Sequence, residues 1–500
     1  MNLTQKLKLN TTVSLLGRIV TIISGLILPR LILSNFGAET HGLVNSIGQF
    51  LGVITFLDLG VGAVVKSALY RPLAKQDSRK ISSVLIAAKN YFQKIAYILI
   101  VYVIALILFY PLLIDSTYSY LSTGFLIIAM SISQFGRYYF GIVNELLLSA
   151  NQQDYIQLGS EIVVVILNLV VSVLLIYLGA SIQIVKLGSG FVYLIRPFFL
   201  SFYVRDNFDI DYNIEVIEDP LPQKWNGLGQ HIAYSIQNNS DVVILTVFST
   251  LENISIYSVY NMVVSAVKML VSSLTTGIQS FFGNLYANDE IELLNSYFSK
   301  IEWIVHTGGV YLYGITAVMI NSFVMIYTTG VEGISYEAPL FSLLIVLASA
   351  AYSLRTPYHS MILSAGHFRQ TQMSSFIEAG VNLVISVVLV NQYGLVGVAI
   401  GTLVSMTYRT LYLVFYLSKN IVFRSVKKFI KHLFVDFISF GSIMIVGNLM
   451  SNVYTVETLI EWVIVAVILG VFSLIIISII NLIFYKEVML SAVKSIFKRN

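Results

Sequence analysis

Five cations interrupt the apolar runs of this chain at depth: Arg137, Arg196, Lys268, Arg355 and Arg409. Arg30 joins them nearer the outer end of the first run. A charged side chain at the middle of a bilayer costs about 2.5–3.5 kcal/mol on insertion scales, so such residues almost always face a bundle interior or a wet cavity. The deep acids set against them are Asp58, Glu161, Asp241 and Glu378. Pairing of these groups would hold helices together, and it leaves a surplus of cations. Arginine grips phosphate oxygens in two-point fashion and lysine acts as a point charge, so the surplus points to an anionic ligand. Asp58, Glu161 and Asp241 are positions where a proton or sodium ion could bind. Arg18, Lys66 and Lys186 lie close to the ends of apolar runs, where long side chains reach the interface.

The residues around these charges are polar in other ways. One run contains His231, Gln237, Asn238, Asn239, Ser240 and Asp241, a poor surface for lipid. Another contains Gln134, Arg137, Tyr138, Tyr139 and Asn144, able to hydrogen-bond sugar hydroxyls or stack on sugar rings. Most of the 31 tyrosines are accounted for by interfacial belts. Catalytic chemistry is scarce. The six histidines show no metal-ligand spacing, and the absence of cysteine excludes disulfides and thiolate chemistry. Neither a phosphate-binding loop nor a nucleophile elbow is present. The chain is therefore expected to be a non-enzyme without a cofactor.

The elements that must position these residues are membrane helices. Hydrophobic residues make up 57% of the 500-residue chain and charged residues 11%, with a mean hydropathy of +0.81. A soluble domain carries about 25% charged residues. Apolar runs of bilayer length recur throughout. They fall at roughly 13–34, 42–68, 93–114, 119–148, 154–178, 181–204, 228–249, 254–286, 296–327, 338–364, 372–390, 394–418, 429–450 and 458–485. The expected fold is all-α and membrane-integral, with about fourteen spans. The first run carries Arg18 and Arg30 and has no small-residue cleavage site, so it reads as a retained span.

Lys and Arg set the orientation. The connection 35–41 and every second connection after it hold neither, whereas the intervening ones hold Arg71, Lys75, Arg79, Lys80, Arg205, Lys224, Lys300, Arg369 and the cluster Lys419 to Lys431. The positive-inside rule puts both termini in the cytoplasm, as an even number of spans also requires. The net charge of +4 is explained by these loops rather than by nucleic acid. The loops on the outer side are too short to house an enzyme's catalytic groups.

An internal repeat is present. Leu148-Ser149-Ala150 returns as Leu363-Ser364-Ala365, and the segment from Asn168 to Ser172 returns as Asn382 to Ser386. The offset matches the spacing between the first and seventh spans. The expected organisation is a first lobe over 1–205, an acidic, proline-bearing linker over 206–226, a second lobe over 227–420, and two terminal spans over 421–500. The basic stretch 419–431 reads as interfacial. Parallel six-helix repeats are a transporter plan with the site at the repeat interface.

The chain resembles the polysaccharide-transport branch of the multidrug/oligosaccharidyl-lipid/polysaccharide (MOP) exporter superfamily, the Wzx-type flippases. The resemblance is carried by Leu28-Pro29-Arg30-Leu31, by the segment from Phe36 to Leu43, by the segment from Phe56 to Gly62, and by the two Leu-Ser-Ala turns. It implies two pseudo-symmetric six-helix lobes around a central cavity, with alternating access. It implies as cargo an undecaprenyl-pyrophosphate-linked oligosaccharide, the repeat unit of O-antigen or capsule, in a bacterial plasma membrane. It also implies energy from an ion gradient or the membrane potential, and a polysaccharide polymerase and chain-length proteins as partners. Two other readings compete: a cation-coupled drug or small-solute antiporter of the same superfamily, and a membrane polysaccharide polymerase. The cationic surplus and the number of spans count against the first, the short outer loops against the second.

Overall fold

The computed structural model describes residues 3–490 apart from 59–60, 115, 213, 215–227, 274, 276–277, 452–453 and 455. Most of the stretch expected as a linker thus lies outside the described residues, as do Gly60, the C-terminal Lys494, Lys498 and Arg499, and the side chain of His231. The described residues are helical and contain no strand. Packing divides the chain into two compact units, Met1–Ser255 and Ile256–Asn500.

Unit 1 begins with α1 (Leu3–Val53), which carries Pro29 and breaks at Gly37, where φ is +81°. Only glycine adopts that conformation without a steric cost. A tight turn at Ile54–Leu57 follows. Then come α2 (Val61–Lys75), α3 (Ser78–Leu113) and α4 (Tyr120–Gly136). A single π turn, Arg137–Gly141, joins α4 to α5 (Ile142–Ala150). The unit continues with α6 (Asp154–Tyr177), α7 (Ile182–Asn207) and α8 (Leu228–Phe248). Helix α6 lies between α1 and α7, α7 packs on α4, and α8 packs on α1. Hydrogen bonds fix the turn at the end of α1: Tyr91 Oη donates to the Leu57 carbonyl at 2.9 Å and Tyr102 Oη to the Phe50 carbonyl at 2.8 Å.

Helix α9 (Leu251–Ser273) crosses the division between the units. Unit 2 then comprises α10 (Ile278–Ala287), α11 (Ile291–Tyr327), α12 (Pro339–Leu354), α13 (Thr356–Ser364), α14 (Phe368–Asn420), α15 (Lys427–Ser451) and α16 (Leu459–Phe484). Helix α14 breaks at Gly394, with φ +53°. Helix α11 is central, touching α12, α15 and α16. The core around Phe282, Phe298, Tyr358, Leu413 and Phe429 seals α10, α11, α13, α14 and α15 together. Thr458 and Glu461 close a capping box at the start of α16, satisfying backbone N–H groups that a helix start leaves open.

Large apolar side chains cover the outside, Leu112, Tyr177, Phe437 and Ile460 among them. A surface of that kind requires lipid as its solvent. Among the described residues eleven helices are long and apolar enough to cross a membrane. Two of them contain the breaks at Gly37 and Gly394. Helix α8, with its polar run from Gln237 to Asp241, is not among the eleven. The chain is therefore an all-α, multi-pass membrane protein, and the expected fourteen spans depend on how these three elements are counted. The repeated motif is buried in both units: Asn168 and Ser172 in α6, Asn382 and Ser386 in α14.

Candidate functional site

Among the described residues, ion pairs gather charged side chains of the helices into one group in unit 1 and two in unit 2.

The unit 1 group is built on the π turn. Its backbone bond runs from the Ile142 N–H to the Arg137 carbonyl, five residues back. A π turn accommodates one residue more than an α turn and is often found at functional sites. Tyr138 points to Asp58 at the end of the 54–57 turn, donating from Oη to Oδ2 at 3.2 Å. Arg137 Nε lies 3.6 Å from Glu145 Oε2. Arg196 on α7 approaches the other oxygen, Glu145 Oε1, at 3.2 Å, and reaches Glu161 Oε2 on α6 at 3.4 Å. Glu145 therefore bridges two guanidinium groups. Helix α7 comes close enough to do this because of Gly141: a Cβ there would meet Pro197 Cβ at 3.2 Å. The group contains three carboxylates, of Asp58, Glu145 and Glu161, and two guanidinium groups. The Arg137 side chain is 47% exposed, that of Glu161 45%, and that of Glu145 only 11%.

The first group of unit 2 surrounds the interruption between α12 and α13, where Arg355 stands one residue before the new helix and Pro357 forbids a continuous ladder. Arg355 pairs with Glu378 on α14. Arg409, farther along α14, lies 3.8 Å from the second oxygen of Glu378 and donates to the Thr371 carbonyl at 2.9 Å and to Ser374. The Tyr352 ring carries two cations: Lys268 Nζ at 4.2 Å from its centroid and the Arg355 guanidinium at 4.3 Å. Attraction to the ring face is the cation–π interaction. Arg355, Arg409 and Glu378 are all buried.

Each unit thus interrupts the helix before its Leu-Ser-Ala turn, by a π turn in unit 1 and by a break in unit 2. An arginine stands at each interruption.

Of the residues expected from sequence, Arg137, Arg196, Asp58 and Glu161 come together in unit 1, and Lys268, Arg355 and Arg409 in unit 2. Arg30 and Asp241 stand on α1 and α8, which pack against each other. Tyr138, expected among the polar residues of its run, is joined to the group through Asp58. Two further participants carry no sequence signal. Glu145 lies near the end of its apolar run, where an acid looks interfacial. Tyr352 is indistinguishable from a belt tyrosine. A second group in unit 2 forms around Glu302, His306, Arg424, His432 and Asp436. Its members lie in two stretches, 302–306 and 424–436, each with a carboxylate four positions from a histidine, and only packing joins the two.

No family model matches the chain, and no curated protein matches it in sequence. Its fold does match solved structures. A lipid II flippase MurJ in an inward closed conformation superimposes with a TM-score of 0.72 at 15% identity, covering 96% of this chain and 99% of that one. An inward-facing multidrug resistance MATE family transporter of the MOP superfamily gives 0.59 at 15% identity, over 80% and 95%. The Vibrio cholerae MATE transporter VcmN in its bent form gives 0.56 at 14% identity, over 83% and 98%. The chain has the fold of these membrane transporters.

Proposed function

We propose that this chain flips a lipid-linked oligosaccharide: it moves undecaprenyl-pyrophosphate-linked repeat units of a surface polysaccharide, such as O-antigen or capsule, from the cytoplasmic to the outer leaflet of a bacterial plasma membrane by alternating access. The observation that carries this reading is Arg137. Its side chain is 47% exposed while Nε remains 3.6 Å from Glu145, so a guanidinium is anchored and still open to a ligand. Such a fork suits the paired oxygens of a pyrophosphate. The fold shared with a flippase for lipid II, over nearly the whole chain, supports a lipid-linked cargo.

In this reading Arg30, Arg137 and Arg196 in unit 1 and Lys268, Arg355 and Arg409 in unit 2 provide the positive charge for the anionic cargo. Asp58, Glu161 and Asp241 take the coupling proton or sodium ion. Both termini are cytoplasmic, and a polymerase and chain-length proteins consume the flipped units. No cofactor or nucleic acid enters the cycle.

A second reading, a cation-coupled drug or small-solute antiporter, draws on the excess of carboxylates over guanidinium groups around Glu145. One experiment separates the two. In cells lacking the protein, lipid-linked repeat units should accumulate, and Arg137→Gln restored at wild-type abundance should fail to clear them. Normal clearance by R137Q would remove Arg137 from the site. Altered drug sensitivity with no lipid-linked intermediate would favour the antiporter.

A further inference from the structure

The second charged group of unit 2 joins four elements. Glu302, fully buried on α11, accepts from Tyr358 Oη on α13 and pairs with Arg424 just before α15. Its other oxygen faces His432 Nε2 of α15 at 3.5 Å. The His432 ring stacks between two others, that of His306 on α11 at 4.8 Å and that of Tyr485, just past α16, at 4.9 Å. His306 Nδ1 lies 2.6 Å from Asp436 Oδ2.

Hydrogen-bond directions determine how many protons the two rings carry. His306 Nδ1, at hydrogen-bond distance from a carboxylate, must donate and bears a hydrogen; His432 Nε2, 3.5 Å from Glu302 Oε2, makes no hydrogen bond to it, and the negative charge it faces favours a hydrogen there. Tyr358 gives its hydroxyl hydrogen to Glu302. The same oxygen is therefore an acceptor toward His306 Nε2, 3.4 Å away, and that nitrogen also bears a hydrogen. His432 Nδ1 lies 2.9 Å from Tyr485 Oη, which has its own hydrogen to give and needs none from the ring. The two rings then hold three N–H hydrogens, one more than two neutral imidazoles.

Charge balance reaches the same number independently. Among the described residues, the charged and titratable groups facing this cluster are Glu302 and His306 on α11, Tyr358 on α13, Arg424 before α15, Lys431, His432 and Asp436 on α15, and Tyr485. Lys431 is exposed and is occupied at the rim, donating to the Phe484 carbonyl at 2.8 Å with its ammonium over the Tyr485 ring. Inside, two carboxylates oppose one guanidinium. A buried net charge is costly, and one added proton removes it.

We propose that His306, His432, Glu302 and Asp436 form a buried proton-binding site in unit 2, which holds a single proton with His306 as the cationic ring. The ligand is a proton and not a metal ion, because the stacked rings direct their nitrogens to different carboxylates instead of a common point. Asp436, 14% exposed, is the member through which the proton exchanges with solvent. The site is separate from Asp58, Glu161 and Asp241 and does not depend on what the protein transports.

The test is nitrogen NMR at neutral pH on the full chain, labelled with 15N-histidine and held in lipid nanodiscs. Wild type should show one ring protonated at both nitrogens, assigned by its disappearance in His306→Asn. Asp436→Asn and, separately, Glu302→Gln each remove one carboxylate, and either should abolish the doubly protonated ring. The second variant serves should the first not fold. Two neutral rings at 306 and 432 in wild type would overturn the proposal. So would a cationic ring that persists in either carboxylate variant.

Discussion

Arg137 and Glu145 stand eight positions apart on one interrupted helix, yet their side chains approach to 3.6 Å. On a regular α-helix eight positions leave two side chains roughly 80° apart around the axis; seven leave roughly 20°. The extra residue absorbed by the π turn converts the first arrangement into something close to the second. Glu145 is thereby turned toward the charges of the interior.

Glu145→Gln should be strongly destabilising. It removes the one carboxylate shared by Arg137 and Arg196 while changing neither shape nor volume. Breaking a buried pair by removing one partner costs about 3–5 kcal/mol, and the partial exposure of Arg137 places this case at about 3 kcal/mol. Thermal unfolding of the purified protein is the measurement, and a midpoint equal to that of wild type would show that Glu145 does not neutralise the pair.

Gly141→Ala should act on Arg196 without touching a charge. The new methyl group would press on Pro197 at 3.2–3.5 Å, and overpacking of this kind costs about 1–2 kcal/mol. Displacement of α7 should also weaken the Arg196–Glu145 contact. The expected signature is non-additivity: G141A should cost less in an E145Q background than in wild type, because part of what it disrupts is already gone. Strict additivity in unfolding measurements would uncouple the two.

Tyr352→Leu keeps the bulk of an apolar side chain and removes the ring face shared by Lys268 and Arg355. Each cation–π contact is worth about 0.5–2 kcal/mol. A smaller loss from Y352L in a Lys268→Met background than in wild type would assign the difference to that contact; an equal loss in both would assign it to packing.

Glu378→Gln should leave Arg355 and Arg409 repelling one another and reduce the folded yield in membranes. Glu378→Met combined with Arg355→Met should recover part of it, since Arg409 keeps the Thr371 carbonyl and Ser374 as acceptors, and replacing a buried pair with apolar groups is often close to neutral whereas orphaning one member is not. The check is the amount of folded protein extracted from equal membrane; a double variant worse than either single one would contradict the pairing.

The helices were legible because lipid imposes long apolar runs, and the boundaries of α6, α7, α15 and α16 lie within a few residues of those read from hydrophobicity. The Asn–Ser repeat was legible too, and its residues are buried in both units. Deep cations stood out because each is expensive on its own. Of their partners, Glu161 and Glu378 stood out for the same reason and Glu145 did not. Hydropathy carries no information about azimuth, so a π turn that rotates Glu145 inward leaves no trace in composition. Glu302 is the twelfth residue of α11 and Asp436 the tenth of α15, each four positions from a histidine of its own helix. Only tertiary packing brings each to the other helix's histidine.

The breaks at Gly37 and Gly394 differ from the tightly packed glycine at 141. A Cβ built at either would meet no atom within 4 Å. Space is therefore not what excludes a side chain there; handedness is. With φ at +81° and +53°, both positions have the backbone conformation natural to a D-amino acid. L-alanine should strain each break, while D-alanine, introduced by semisynthesis, should preserve it and reduce the freedom of the unfolded chain. For these two helices the hinge is written in chirality, not in volume.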